Sequence, residues 1–318
     1  MAEFKPDTDK KSMRVGFGEV LVDLGKKNPD IVVLDADLME STKTDAFEKA
    51  FPERFIQVGV AEQNMASMAA GLALSGKIPF VTTFGIFCPG RNWEQIRLSV
   101  CFSNANVKFV STHCGLSHCH DGGMAQALED IALTRVLPNM TVICPADYYE
   151  TKKAVEAAAE TTGPMYIRLG REPTELVTQP KDPFEIGKAQ VLAEGKDLTV
   201  ISTGAITFEA VKAANDLKAK HGTDVEIISC STIKPLDEKT ILESAKKTGK
   251  VVTVEEHQIN GGLGGAVAEL LSEKLPTKLL RIGVEDTFAE SGTYKELKDK
   301  YGLSAHRIED KIVKFFGE

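Results

Sequence analysis

Cysteine is scarce for the length. Six cysteines among 318 residues, Cys88, Cys101, Cys114, Cys119, Cys144 and Cys230, fall far below the density of a secreted disulfide scaffold, so reduced thiols and a cytoplasmic setting are expected. The opening stretch MAEFKPDTDKK is charged from its third residue and has no apolar run of the kind a signal peptide needs. The longest uncharged runs, Gln63 to Gly76 and Ile78 to Asn92 interrupted only by Arg91, are separated by Lys77 and fall short of the roughly 18 apolar residues of a membrane span. Positive charge is not in excess: 38 Lys and Arg stand against 46 Asp and Glu, a net −8 that argues against a general nucleic-acid binder while leaving room for a local basic pocket. No fixed-period repeat and no low-complexity tract is visible. What remains, 42% hydrophobic and 26% charged residues, is the balance of an ordinary globular protein, long enough at roughly 150 residues per domain for two cores.

Short β-branched or aromatic runs alternate with longer helical patterns, the signature of parallel sheets covered by helices. In the first half the strands are expected at Ile31, Phe55, Pro79, Val107, Thr141 and Met165, with helices near Val15 to Lys26, Glu62 to Leu74, Trp93 to Phe102 and Tyr148 to Glu160. From Arg171 to Phe184 the text carries Pro173, Pro180 and Pro183 and no periodicity, which reads as a connection. Strands are expected again at Asp197, Val225, Lys250 and Leu279. The expected fold class is therefore α/β with two open, mostly parallel-sheet domains, 1–175 and 187–318, joined by a linker at 176–186.

Several segments carry possible chemistry. In VGVAEQNMASMAAGLALSG, from Val58, a strand ends at a glycine and Glu62 opens a helix of small residues. Such a carboxylate stands at the ligand-binding edge of an open parallel sheet, and it is equally compatible with a plain complement to the helix dipole. The loop STHCGLSHCHDGG, Ser111 to Gly123, gathers His113, Cys114, His118, Cys119, His120 and Asp121. Its spacing does not pair ligands as zinc sites do, which leaves polar substrate contacts or ordinary loop histidines. INGGLGGAVAELL, from Ile259, opens a helix with glycines but lacks the G-x-G-x-x-G spacing. Arg14, Arg168 and Arg171 flank predicted elements and suit either a phosphate or solvent. Phe84 and Phe87 follow a strand, placed for core packing or for stacking on a flat heterocycle.

In order along the chain, DADL at Asp35, RFIQVGVAEQNM at Arg54, GKIPFVTTFGIF at Gly76, WEQIR at Trp93, STHCGLS at Ser111, ICPAD at Ile143, IRLGREP at Ile167, TIKPLD at Thr232 and VVTVEEH-x-x-x-GGLG at Val251 resemble the transketolase family of thiamine-diphosphate enzymes over nearly the whole chain. The resemblance covers the pyrimidine-binding and C-terminal domains. The GDG segment with which the family holds the cofactor's diphosphate and its divalent metal is absent from this sequence. The resemblance therefore implies a split enzyme of the pentose phosphate pathway type. A separate diphosphate-binding subunit would hold most of the thiamine diphosphate and the Mg²⁺ or Ca²⁺, and a two-fold symmetric α2β2 heterotetramer would build the site between chains.

Residue by residue, the resemblance implies that Glu62 bonds to the ring nitrogen of the aminopyrimidine and tunes its acid/base behaviour. Phe84 and Phe87 would wall that ring, Val60 would lie near the bend of the cofactor, and Asp37 would contact the same pocket. Asp121 would meet a sugar hydroxyl, while Arg14, Ser41, His113 and Arg171 would hold the sugar phosphate as a small cationic pocket. The implied reaction moves a two-carbon ketol unit from a ketose phosphate to an aldose phosphate. Three departures bear on the sugar: Ala125 stands where the family has His or Gln, His118 to His120 replace an apolar-Gly-Glu run, and one extra residue lies between Phe87 and Trp93. The competing readings are the β subunit of a 2-oxoacid dehydrogenase and a non-catalytic scaffold of the same fold. Deoxyxylulose-phosphate synthase is also near, but that family is ordinarily one continuous chain.

Overall fold

The computed structural model describes residues 6–317. Residues 1–5, part of the charged opening stretch weighed above, lie outside the described residues. Fourteen strands are described: β1 (Asp7–Lys11), β2 (Ile31–Asp35), β3 (Phe55–Gln57), β4 (Ile78–Phe84), β5 (Lys108–Thr112), β6 (Thr141–Ile143), β7 (Met165–Arg168), β8 (Thr174–Leu176), β9 (Gln190–Ala193), β10 (Leu198–Ser202), β11 (Val225–Ser229), β12 (Thr232–Lys234), β13 (Lys250–Gln258) and β14 (Lys278–Val284). Each strand expected from its apolar run forms. The four short strands β1, β8, β9 and β12 were not legible, because none carries a sustained apolar or alternating pattern.

A seven-stranded sheet has the order β12-β6-β7-β5-β4-β2-β3, and a five-stranded sheet the order β14-β13-β10-β11-β9. All pairs are parallel except β12 on β6 and β9 on β11. The fold is thus mixed α/β with mostly parallel sheets, as the alternation predicted. The halves are less separate than the sequence suggests: β12, from beyond residue 187, forms the edge of the first sheet, through Thr232 opposite Ile143. One apolar core runs through both halves, with Val107, Phe109 and Val142 packed in the same cluster as Ile201, Ile228 and Val251. The stretch from Arg171 is also not all connection. Thr174–Leu176 pairs with Asp7–Lys11. Just beyond, the Asp147 carboxylate accepts Val177 N and Thr178 N at 2.8 and 2.6 Å while capping helix Tyr148–Glu160.

Helices cover the sheet where apolar residues recur on one face. Helix Met13–Lys27 buries Phe17, Leu21 and Leu24, and helix Glu62–Leu74 buries Met65, Ala66, Ala69 and Ala70. The helix expected at Trp93 widens after one turn: Phe102 N bonds Arg97 O and Ala105 N bonds Val100 O, five residues back. No helix among the described residues is long and apolar enough to cross a membrane.

Lys108, at the amino end of β5, is fully buried, and its ammonium donates to Thr161 O and Gly163 O, both at 2.7 Å, past the end of helix Tyr148–Glu160. No carboxylate faces it among the described residues, and burial pushes its pKa down to about 7. Between about 7 and the ordinary 10.5 the unfolded chain binds this proton and the folded chain does not, so wild-type stability gains with rising pH across that window. Urea unfolding of wild type and Lys108→Met should show this gain in wild type alone; parallel pH profiles would contradict it.

Candidate active site

Because β2, β3, β4, β5 and β7 run parallel, their carboxyl ends open on one edge of the sheet. The loops that leave them carry Asp37 and Ser41, Val60 and Glu62, Phe84 and Phe87, His113 to Asp121, and Arg171 in turn. This is the edge where open α/β sheets bind ligands.

After β3 the chain turns through Gly59 at φ +67° and enters helix Glu62–Leu74 at Ala61, which offers no side-chain cap. Glu62 is therefore the first-turn acid, 6% exposed, with its main-chain carbonyl accepting Asn92 Nδ2 at 3.3 Å. Its carboxylate has no hydrogen-bond partner among the described residues. Val60, two residues before, is 79% exposed, an apolar side chain presented outward at the mouth of the site.

Phe84 closes β4, and its ring lies 6.2 Å from that of Phe87 at 16° between planes. Phe84 also packs against His113, centroids 3.8 Å apart with the rings tilted by 32°, and meets the edge of His118 at 5.2 Å. The outcome is an aromatic row beside Glu62's helix rather than a core pair, since Phe87 is exposed and Phe84 only half-buried. His113 sits at φ +59°, bonded through Nδ1 to Thr112 Oγ1 at 2.8 Å. Burial first, then the positive neighbours Arg14, His118 and Arg171, push its pKa down to about 2. His113 is thus a neutral hydrogen-bonding group, and the cationic pocket expected from Arg14, His113 and Arg171 draws its charge from the two arginines.

Arg14, on the first turn of helix Met13–Lys27, donates to Ser41 O at 2.6 Å and twice to Arg171 O, at 2.8 and 3.2 Å. It clamps the two loops by their main chain, leaving two of a guanidinium's five N–H donors. Burial and the nearby Arg171 charge lower its pKa. Arg171 pairs with Glu172 at 2.7 Å. Asp37 is exposed at φ +64°, its N–H held by Gln57 Oε1 at 2.8 Å. The structural acid of the DADL motif is Asp35, fully buried and accepting Leu38 N, Thr42 Oγ1 and Thr44 Oγ1; burial raises its pKa.

Asp121 is exposed, and its Oδ2 meets His118 Nε2 at 2.5 Å. His118 is buried and its Nδ1 donates to Ala125 O at 3.0 Å. Ala125 therefore takes part through its carbonyl, and Asp121 carries His118 with it. Arg168, the last residue of β7, is buried and paired with Asp130 at 2.8 Å, so its charge is already met within the chain. The sequence reading had no signal for Asn92 or for His118 as a partner of Asp121. Glu256 does carry a sequence signal, an acid inside the apolar strand β13.

Two family models match the chain: the transketolase pyrimidine-binding domain over residues 9–175 and the transketolase C-terminal domain over residues 187–308. The chain belongs to the transketolase family. It is 50% identical over 306 residues, 95% of this chain and 96% of the other, to a Methanocaldococcus jannaschii protein named as a transketolase C-terminal section. It is 41% identical over 305 residues, 96% of this chain and 94% of the other, to the 6-deoxy-6-sulfo-D-fructose transketolase subunit of a Clostridium species. It spans about half of the longer relatives: mouse transketolase-like protein 2 is 40% identical, with 94% of this chain matching 48% of that one. Among solved structures, one described as a split gene transketolase, inactive beta4 tetramer, matches with a TM-score of 0.90 and 48% identity over 96% of this chain and 98% of that one.

The neutral state of His113 is open to a direct check. Its ring protons should keep one NMR shift between roughly pH 5 and 8, where an ordinary histidine titrates; a midpoint near 6.5 would contradict the packing described.

Proposed function

We propose that this chain is the β-type subunit of a split thiamine-diphosphate-dependent transketolase and moves a two-carbon ketol unit from a ketose phosphate to an aldose phosphate. A separate diphosphate-binding subunit completes the site in a two-fold symmetric α2β2 assembly, and the divalent cation, Mg²⁺ or Ca²⁺, goes with the diphosphate on that subunit. The division into a pyrimidine-binding part, 1–175, a linker, 176–186, and a C-terminal part, 187–318, goes with this reading.

The observation that carries the reading is Glu62, an acid at a helix start whose carboxylate has no partner of its own among the described residues, on the same sheet edge as the Phe84 and Phe87 rings. That combination fits a flat heterocycle with a protonated ring nitrogen: the rings take its faces and the carboxylate takes the proton. When bound, thiamine diphosphate supplies the carbanion chemistry of ketol transfer. Glu62 would hold the proton at the pyrimidine ring nitrogen, with Val60 and Asp37 nearer the rest of the cofactor. On the sugar side, Arg14 and Arg171 would neutralise the terminal anion, Ser41 and neutral His113 would hydrogen-bond it, and the Asp121–His118 pair would meet the sugar hydroxyls. The Clostridium relative's named sulfosugar makes a sulfonate the natural second anion to try.

The test is a mixture of this chain with its diphosphate-binding partner, thiamine diphosphate and Mg²⁺, assayed with xylulose 5-phosphate and ribose 5-phosphate, and in parallel with 6-deoxy-6-sulfo-fructose as donor. Ketol transfer should appear in the mixture and be lost with either chain alone; robust activity from this chain alone would sink the split-subunit reading. Glu62→Gln should lower kcat by about a hundredfold or more, the scale of general acid–base catalysis, while the assembly elutes at unchanged size. Dominant pyruvate decarboxylation in the same mixture would favour the dehydrogenase reading instead.

A further inference from the structure

The loop after β5 is held from the second domain. Gly115 sits at φ +70°, and a Cβ there would lie 2.5 Å from Glu256 Oε1 and 3.0 Å from Arg168 Nη2, so the backbone passes against both side chains with no space for another atom. Glu256, near the end of β13, is 4% exposed. Its Oε1 accepts Ser117 N at 2.9 Å and its Oε2 accepts Tyr294 Oη at 2.6 Å. Its own main-chain carbonyl accepts Arg168 Nη2 at 2.9 Å, and Arg168 is tied in turn to Asp130. Burial pushes the Glu256 carboxyl's pKa up, and Arg168, Tyr294 and the Ser117 N–H pull it back.

Ser117 passes this anchoring on. Its Oγ donates to Cys114 O at 2.6 Å and accepts Arg171 N at 2.8 Å. Arg171 O is the carbonyl that Arg14 clamps. A continuous chain of hydrogen bonds therefore runs from Tyr294 and Glu256, through Ser117, to Arg171 and Arg14, while the turn it fixes begins at Cys114, the residue after His113. Glu62 and the aromatic row are outside this chain.

We propose that Glu256 is a positioning residue for the sugar-anion side of the site: through Ser117 it sets the places of His113 and Arg171, so that the C-terminal domain governs substrate affinity without touching substrate. The proposal rests on the transketolase reading of the site. A carboxylate that only glued the domains together would alter stability and leave substrate affinity where it was. Glu256→Gln keeps an oxygen for Ser117 N and can donate its amide to the Tyr294 oxygen, whereas Glu256→Ala leaves a buried N–H and a hydroxyl without partners.

In the enzyme assembled with its partner subunit, Glu256→Ala should raise KM for xylulose 5-phosphate and ribose 5-phosphate by about tenfold or more with kcat within about threefold, the pattern of lost binding common to ground and transition states. Glu256→Gln should restore KM to within about threefold of wild type. Hydrogen exchange on the same assemblies should show faster exchange over residues 113–118 in Glu256→Ala and not in Glu256→Gln. That readout needs no turnover, so it judges the positioning role even if wild type shows no ketol transfer, in which case the proposed function fails by itself. Unmoved KM and exchange in Glu256→Ala would overturn the proposal, as would Ala and Gln variants that lower the melting temperature alike without a change in KM. Should Glu256→Ala not assemble, Tyr294→Phe removes one hydroxyl from the chain and should raise KM in the same sense; an unchanged KM there would equally overturn it.

Discussion

Burying a carboxylate costs on the order of several kcal/mol unless donors or cations surround it, and a helix N-terminus contributes only about 1 kcal/mol in compensation. Glu62 is 6% exposed, stands at a helix start and has no donor of its own among the described residues. The arrangement around it follows from that constraint. Ala66, Ala69 and Ala70 let its helix press on the sheet, Gly59 turns the chain sharply into it, and Phe84 and Phe87 leave a flat apolar face alongside. On the proposed reading the protonated ring of the cofactor is the partner that this carboxylate lacks within its own chain.

The side proposed to hold the sugar is built on a different principle. There the charged groups are spent first on each other and on the main chain: Arg14 on the carbonyls of Ser41 and Arg171, His118 on Asp121 and Ala125, Glu256 on Ser117 and Tyr294. Satisfied networks of this kind hold loops in one place. They come from both halves of the chain, and β12 at the edge of the first sheet and the shared core keep the halves in register. Two domains by sequence thus behave as one support for one site.

Most of the architecture was legible because long apolar runs and amphipathic helices announce themselves by period: β2, β4, β5, β10, β11, β13 and the helices at Glu62 and Tyr148 all stand where the pattern puts them. The short strands β1, β8, β9 and β12 were not, since three to five mixed residues have no period and their pairing partners lie far along the chain. In the site, the glycine turn, the opening acid and the two phenylalanines could be read directly. What sequence spacing could not give was state and direction. His113 proved neutral because the fold buries it and brings Arg14 and Arg171, distant in sequence, near enough to add to that effect. Ala125 matters through its carbonyl, a group every residue has. Glu256 lies 139 residues from the Ser117 it holds, a distance no local motif spans.

The central claim is that this chain carries half of a cofactor site whose acid is in place and whose completion requires a second subunit. Calorimetric titration with thiamine diphosphate and Mg²⁺ tests it most directly, on this chain alone and on its mixture with the diphosphate-binding partner. The account predicts saturable binding in the mixture, weakened by Glu62→Gln, and none to the isolated chain. Equal affinity with and without the partner would contradict it.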